Sequence, residues 1–536
     1  MTATPAESLP ATPEASRRPS PDDSGSEGSV PWYQPSGADV VFLLAAVLIF
    51  QAAQRTMLDD PGLGWHVRNI DAMQLRGSWL TSDPFSGPRG GATYFTNQWL
   101  GDLSLWLGWR WAGLEGIAAI ATILIAFTLR CLYRMLRQDR IPWPVAALWT
   151  TLALMGTSCS WTARPNLFSL LFVLLTARIC IQFHQGRISR RFTLWLVPLF
   201  LLWANTHGGF LAGFVILGTT LLIEAGLRVL GRDQETRWNA GSRAAQLVIL
   251  LVLTFLATLI NPYGVRLYSW VLQLLGDPYF MTLHQEWKSP DFRSPGAIRY
   301  ELVILLFPLV LALTRQRPTL VELGLSIVWF HFALSGFRYV ALWVLIVIPP
   351  LARCSLGIPW VQDLLAHLRE SSKGALRSSP GPARWVWTLI GSLAILGVAR
   401  GTMGQFAYHK PEIIPARALN ELLRLHAERT EESGQAPVVF HAYDWGGYLT
   451  WHGWPRLHNW IDDRNEVQGK EHVEEYFAIL RAEPIWKQRF RERDVSLVCV
   501  FPHAPLVREL EKDPHWQERY RDPHAVIFER TPPEPK

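Results

Sequence analysis

The apolar residues of this chain gather in blocks of about 15 to 20 residues, most of them long enough to cross a hydrocarbon core of roughly 30 Å as a helix. The blocks lie near residues 38–54, 115–134, 143–160, 167–184, 192–206, 209–227, 244–260, 299–315, 318–334, 339–353 and 385–401. Such a series cannot build a soluble core. It predicts a polytopic α-helical membrane protein with about eleven transmembrane helices. Composition agrees, because only 18% of the residues are charged, against roughly 25% in an average soluble protein. Many of the tryptophans fall near block ends, where the membrane interface favours them. The net charge of +6 does not point to nucleic acid, because the basic residues sit in short loops between apolar blocks. The five cysteines are isolated, with no CxxC pair, which argues against a disulfide framework or a zinc site.

The first 35 residues, rich in Pro, Ser, Ala and acids, predict a disordered tail. No apolar stretch follows Met1 directly, so the first span is expected to serve as the insertion signal. Segment 97–112 is apolar but short, and is expected to lie in the interface or re-enter the membrane. Were it to span, the topology after it would invert.

Basic residues favour the cytoplasmic side of a membrane. With eleven spans, one set of loops holds Arg130, Arg134, Arg137 and Arg140, then Arg187, Arg190 and Arg191, then Arg228, Arg232, Arg237 and Arg243, then Arg315 and Arg317, then Arg369, Lys373 and Arg377. The opposite set, 161–166, 207–208, 261–298 and 335–338, holds far fewer for its length. The expectation is a plasma (inner) membrane protein with a cytoplasmic tail (1–35) and a multi-span domain (36–402) with outer loops 55–114 and 261–298. A soluble extracytoplasmic α/β domain (410–536) would follow. Within that domain the alternation predicts strands at VVFHAY, GGYLTWH, HNWIDD, SLVCVFP and HAVIFER, and helices near 470–481, 484–493 and 504–512. The internal repeat expected of many transporters is not evident.

Candidate chemistry lies on the outer side. Asp59 and Asp60 directly follow the first span, Pro61 and Gly62 turn the chain, and a surface helix is expected from about Leu63 to Leu75. A carboxylate at that boundary is placed to act as a general base; equally, both acids could cap the helix. The same loop carries His66, Arg68, Asp83, Asn97, Gln98 and Asp102. Arg164, His207 and Arg338 fall in three outer turns, and cations gathered there suit a phosphate, although snorkelling to headgroups explains each one alone. Glu286 and Asp291 add acids that could bind an acceptor or a divalent metal, but no dense carboxylate spacing identifies a metal. In the C-terminal domain Asp444-Trp445-Gly446-Gly447-Tyr448 and Asp462-Asp463-Arg464 stand out. Asp462 and Asp463 end an expected strand, where ligand sites in α/β folds often form; a turn and a surface salt bridge would explain both motifs just as well.

The run Asp60-Pro61-x-Leu63-x-Trp65-His66, followed by Asp83-Pro84-Phe85-Ser86 and Asn97-Gln98-Trp99-Leu100, resembles a group of bacterial polytopic proteins related to the GT-C glycosyltransferases. Arg164-Pro165-Asn166, Trp203-Ala204-Asn205-x-His207-Gly208-Gly209, Asn261-Pro262-Tyr263-Gly264 and Asp444-Trp445-Gly446-Gly447-Tyr448 look like that group too, so the likeness covers about residues 38–530. The chain departs from the pattern at Gly64, where a second Trp is common, and at Gln98, where an acid is frequent. The resemblance implies transfer of a hexosyl or pentosyl sugar, with inversion, from a polyprenyl-phosphate carrier to an acceptor in the cell envelope. Asp60 (or Asp59) would then be catalytic, and Arg68, Arg164, His207 and Arg338 would hold the donor phosphate. His66, Asp83, Asn97, Glu286 and Asp291 would bind other parts of the substrates. The alternatives are a transporter or flippase of a lipid-linked substrate, and a non-catalytic scaffold whose outer domain binds a partner.

Overall fold

The computed structural model describes residues 33–276, 279, 281, 285–371, 385–408 and 410–531. Most of the expected tail, with Lys373 and Arg377, lies outside the described residues.

Each of the eleven apolar blocks forms a helix. The first, α1 (Gly37–Thr56), starts at a capping box in which Ser36 and Asp39 satisfy each other's backbone N–H groups. Directly after the Pro61-Gly62 turn runs α2 (Leu63–Arg76), closed by Gly77 in the left-handed conformation, a helix with nearly the expected bounds. Residues Trp99–Gln138 form α3, which breaks at Ala112 and Gly113. Gly108 and Gly116 would be about 12 Å apart along a straight helix. Instead a Cβ on Gly108 would meet the Gly116 carbonyl oxygen at 2.7 Å. The chain therefore doubles back at Gly113 (φ +62°), and the expected short segment 97–112 packs against the helix that follows it. The turns after α4 (Trp143–Thr157) and before α5 (Asn166–His184) lead into a bundle whose later helices end at Val386–Gly401.

By length and hydropathy, six helices among the described residues can cross a membrane: Gly37–Arg55, Trp99–Gln138, Asn166–His184, Phe210–Leu230, Gln234–Thr258 and Phe337–Ser355. Leu320–Ser335 and Val386–Gly401 are apolar but shorter. The protein is thus a helical membrane protein with a C-terminal α/β domain.

Ion pairs mark one face of the bundle. Arg130 meets Asp39 at 2.9 Å with both side chains fully buried. Arg178 meets Asp139, Arg243 meets Glu224, and Arg353 meets Glu322 on the same face. These pairs tie helix ends together, and burying a charge is tolerable only with such a partner. The opposite face carries the loop that follows α1, the turn 158–165, the turn at His207 and the C-terminal domain.

That domain is built on a four-stranded sheet of order β1-β2-β4-β3, with β1 Val438–His441, β2 Val495–Val500, β3 Trp516–Arg521 and β4 Val526–Arg530. Strand β1 runs parallel to β2, and the other pairs are antiparallel. Alternate residues of β2 supply two cores. Val498 and Val500 join Phe440, Trp460 and Phe490, whereas Leu497 and Cys499 join Leu419, Leu422 and Ile527, as the period of two requires.

Two expected strands are absent. GGYLTWH is the helix Gly446–Gly453. A Cβ on Gly446 would meet the Ile461 carbonyl at 2.0 Å, and one on Gly447 the Pro61 carbonyl at 1.8 Å. The Gly pair thus serves close backbone approach rather than a strand turn. HNWIDD is an extended connection that bonds to the first outer loop instead of the sheet: Gly87 N–H donates to Asn459 O at 2.8 Å, and Asn459 N–H to Phe85 O at 3.0 Å. The helix Ala416–Ser433 and strand β3 were not expected from the sequence.

Candidate active site

At Gly64 and Gly447 the first outer loop and the C-terminal domain meet backbone to backbone. A Cβ on Gly64 would come within 1.9 Å of the Gly447 carbonyl oxygen. Beside this contact Arg464, fully buried, pairs with Asp83 at 2.7 Å and with Asp462 at 2.5 Å. Asp83 also accepts the N–H groups of Phe85 and Ser86. These bonds make Asp83 an anchor of the loop. Arg68 is likewise spent on docking. It donates to the Trp451 carbonyl at 2.7 Å, pairs with Asp71 and stacks on Trp109. It does not line the cavity described next.

A cavity of about 230 Å³ opens where α1, the turn 158–165, the second outer loop and the C-terminal domain meet. Asp59, Asp60, Pro61, Thr162, Arg164, Glu286, Asp444 and Asp463 line it. Asp60 is 4% exposed. Its carboxylate accepts both Nε and Nη2 of Arg164 at 2.5 Å and the Gly62 N–H at 2.8 Å. No side chain caps α2, whose N-cap is Gly62, so the capping role reduces to that single bond. Arg164 Nη2 also reaches Asp463 at 3.0 Å, and the other oxygen of Asp463 accepts the Trp65 indole N–H at 2.7 Å. One guanidinium is therefore shared between an acid at the end of the first span and an acid of the C-terminal domain. Burial pulls the Arg164 pKa down, but Asp60 and Asp463 outweigh it and the net shift is upward. Asp444 is pushed up by burial and by the neighbouring Asp463, which moves this acid toward the range useful for proton transfer at neutral pH.

Two histidines lie within electrostatic reach of Arg164, and burial disfavours the charged form of both. His66 pairs through Nδ1 with Asp102 at 2.7 Å, and Asn69 supports the second Asp102 oxygen. Burial, followed by Arg164, lowers the His66 pKa to about 3. His207 accepts the Gly209 N–H on Nδ1 at 3.0 Å. Ser169, itself an acceptor for the Trp203 indole, lies 2.8 Å from the same nitrogen. A neutral imidazole with Nδ1 accepting carries its proton on Nε2. Burial lowers the His207 pKa to about 3, with Arg338, His66 and Arg164 adding to the effect. His207 thus sits within the electrostatic reach of those three groups, but as a hydrogen-bond donor rather than the expected cation. The Asn97 amide lies beside the same turn, 3.5 Å from where a Gly208 Cβ would stand.

Arg338 is at the rim, 4.0 Å over the Trp287 ring and 3.5 Å from Glu286. Asp291 is exposed and accepts the Arg293 N–H in a turn, away from the cavity lining, which corrects its assignment. Among the described residues no three acid, His or Cys side chains gather as a metal-holding group. Asp444 and Asp463 were conspicuous in sequence but had no place in the expected site. Their signal was an acid pair beside Arg464 and a Gly-Gly pair suited to close approach.

No family model matches the sequence, and no curated protein matches it. Solved structures do. The chain superposes on the Archaeoglobus fulgidus oligosaccharyltransferase tethered to an acceptor peptide containing the NVT sequon, with TM-score 0.53 and 12% identity over 87% of this chain and 69% of that one. It also superposes on the archaeal oligosaccharyltransferase AglB from the same organism in complex with an inhibitory peptide and a dolichol-phosphate, with TM-score 0.53 and 13% identity over 92% and 74% of the two chains. The chain has a GT-C-like fold. At these identities the likeness is one of fold. In this GT-C-like frame the acid after α1 and the C-terminal domain meet at a single cavity.

Proposed function

We propose that this protein is a membrane glycosyltransferase that moves a sugar from a polyprenyl-phosphate carrier to an acceptor on the extracytoplasmic face. The observation that carries the reading is the Asp60–Arg164–Asp463 bridge inside a cavity at the end of the first span, in a fold shared with oligosaccharyltransferases. A lipid-borne donor requires a site at the membrane boundary, and a phosphate leaving group requires a cation there.

The reading assigns eleven spans, a cytoplasmic N-terminus (tail 1–35), a membrane domain 36–402 and an extracytoplasmic domain 410–536. The acid-lined cavity receives the sugar and the acceptor hydroxyl. The carrier phosphate lies toward Arg164 and Arg338, with His207 offering its Nε2–H. An arriving phosphate competes with Asp463 for Arg164 Nη2, because 3.0 Å is the longer of the two bridges. As Arg164 turns to the phosphate, Asp60 is released to take the acceptor proton, and Asp59 stands beside it in the lining. Attack on the anomeric carbon opposite the departing phosphate inverts that centre. The sugar is a hexose or a pentose. Glu286 and Asn97 are placed to contact the substrates, and His66 positions the wall through Asp102.

The test is incubation of the purified protein with a panel of polyprenyl-phosphate sugars and cell-envelope acceptors. Sugar transfer that Asp60→Asn abolishes supports the reading. Counter-ion-coupled flux of a lipid-linked substrate, without transfer, favours a flippase instead.

A further inference from the structure

A helix that no apolar block foretold, Pro359–Ser371, follows Val340–Ser355 on the face opposite the cavity. Its start is fixed there by the Arg315 N–H, which donates to the Gly357 carbonyl, and by Arg353 on Glu322 one turn earlier. At about 100° per residue its side chains divide into three sectors. Ile358, Val361 and Leu365 face the bundle, with Ile358 and Leu365 buried. Gln362, Asp363 and Ala366 are exposed on the far side. Between these sectors, adjoining the bundle-facing one, Trp360, Leu364 and Leu368 form a stripe at i, i+4 and i+8 that is 62%, 52% and 41% exposed.

The surroundings identify what covers that stripe. Trp143, Trp195, Leu313, Leu320 and Trp385 stand exposed at the helix ends of the same face, as tryptophan and leucine do at the water–lipid boundary of a spanning bundle. The stripe continues this belt. In sequence, Arg369, Lys373 and Arg377 follow it, a spacing of positive charge that favours anionic headgroups.

We propose that Pro359–Ser371 is an in-plane membrane anchor, seated at the headgroup–acyl boundary with Trp360, Leu364 and Leu368 in lipid. The inference holds whatever reaction the opposite face performs. The anchor would fix the height of the helix Val340–Ser355, whose other end follows Arg338.

Spin labels on the full chain in phospholipid nanodiscs test it, in a background carrying Cys131→Ser and Cys159→Ser, since these two thiols are the partly exposed ones. Labels at Trp360→Cys, Leu364→Cys and Leu368→Cys are expected to be reached by oxygen and shielded from a water-soluble nickel chelate. Labels at Gln362→Cys and Ala366→Cys should show the reverse. Equal nickel access at all five positions overturns the proposal, because the stripe then lies in water. Shielding of the stripe from both relaxants also overturns it, because a protein surface then covers the helix. An independent reading comes from the doubly substituted Leu364→Ser, Leu368→Ser chain. Amide exchange over 359–368 should rise several-fold in nanodiscs, and unchanged exchange overturns the anchor.

Discussion

Replacing Gly64 by alanine attacks the backbone contact that seats the C-terminal domain on the first outer loop. The new Cβ would stand 1.9 Å from the Gly447 carbonyl oxygen and 2.8 Å from Trp451 Cβ, the first short of an ordinary 3.4 Å contact by about 1.5 Å. The opposing backbone has no room to yield, because a Cβ on Gly447 would itself lie 1.8 Å from the Pro61 carbonyl. The two helices must therefore part. Separation of more than an ångström stretches the 2.7 Å bonds from Arg68 to Trp451 O and from Trp65 to Asp463 beyond useful length. Overpacking at one methyl costs about 1–3 kcal/mol, and the strained bonds put this site at the upper end. About 3 kcal/mol is a roughly hundredfold shift in the docking equilibrium. Hydrogen–deuterium exchange reads that equilibrium directly. Amides of Leu63–Arg76 and Gly446–Gly453 should exchange roughly a hundredfold faster in Gly64→Ala, while those of Asn166–His184 stay unchanged. Unaltered exchange in both docking helices would refute the contact.

Arg464→Ala leaves Asp83 and Asp462 buried without their cation. A loss of about 3–5 kcal/mol is expected, seen as an earlier thermal unfolding transition of the purified protein. Glu466 is pushed up to about 7 by burial, so the folded chain holds a proton that the unfolded chain releases. Stability should therefore fall as pH rises from about 4.5 to about 7, and Glu466→Gln should flatten that slope in unfolding midpoints taken across the range. Arg338→Ala removes a cation from the rim with 27% of its side chain exposed. It should raise the KM for a lipid-linked donor roughly tenfold, the worth of one charge-assisted hydrogen bond of about 1.5 kcal/mol, without moving the unfolding transition.

The membrane helices were legible because length and hydropathy are local properties, and each apolar block became a helix. The surface helix α2 was legible from Pro61 and Gly62. The helix Gly446–Gly453 was not. Its residues alternate like a strand, and its conformation follows from backbone contacts with Pro61 and Ile461 that local sequence does not contain. The site divides the same way. Asp60, Arg164 and Glu286 line one cavity and Arg338 reaches Glu286, but Asp463 reaches Arg164 across 299 residues, which no local pattern foretells. Arg68 and Asp83 face partners in the C-terminal domain, because sequence gives a residue's place along the chain and not the neighbour it faces. Burial disfavours the charged form of His207, a property of packing rather than of residue type.

The account stands most directly on the carboxylate that follows the first span. Purified protein in nanodiscs, given a polyprenyl-phosphate sugar and an acceptor fraction from the cell envelope, should transfer sugar. Asp60→Asn, with an unchanged unfolding midpoint, should reduce that transfer to background. Transfer by Asp60→Asn at the unsubstituted rate, or none by the unsubstituted protein with any donor in the panel, would contradict the account.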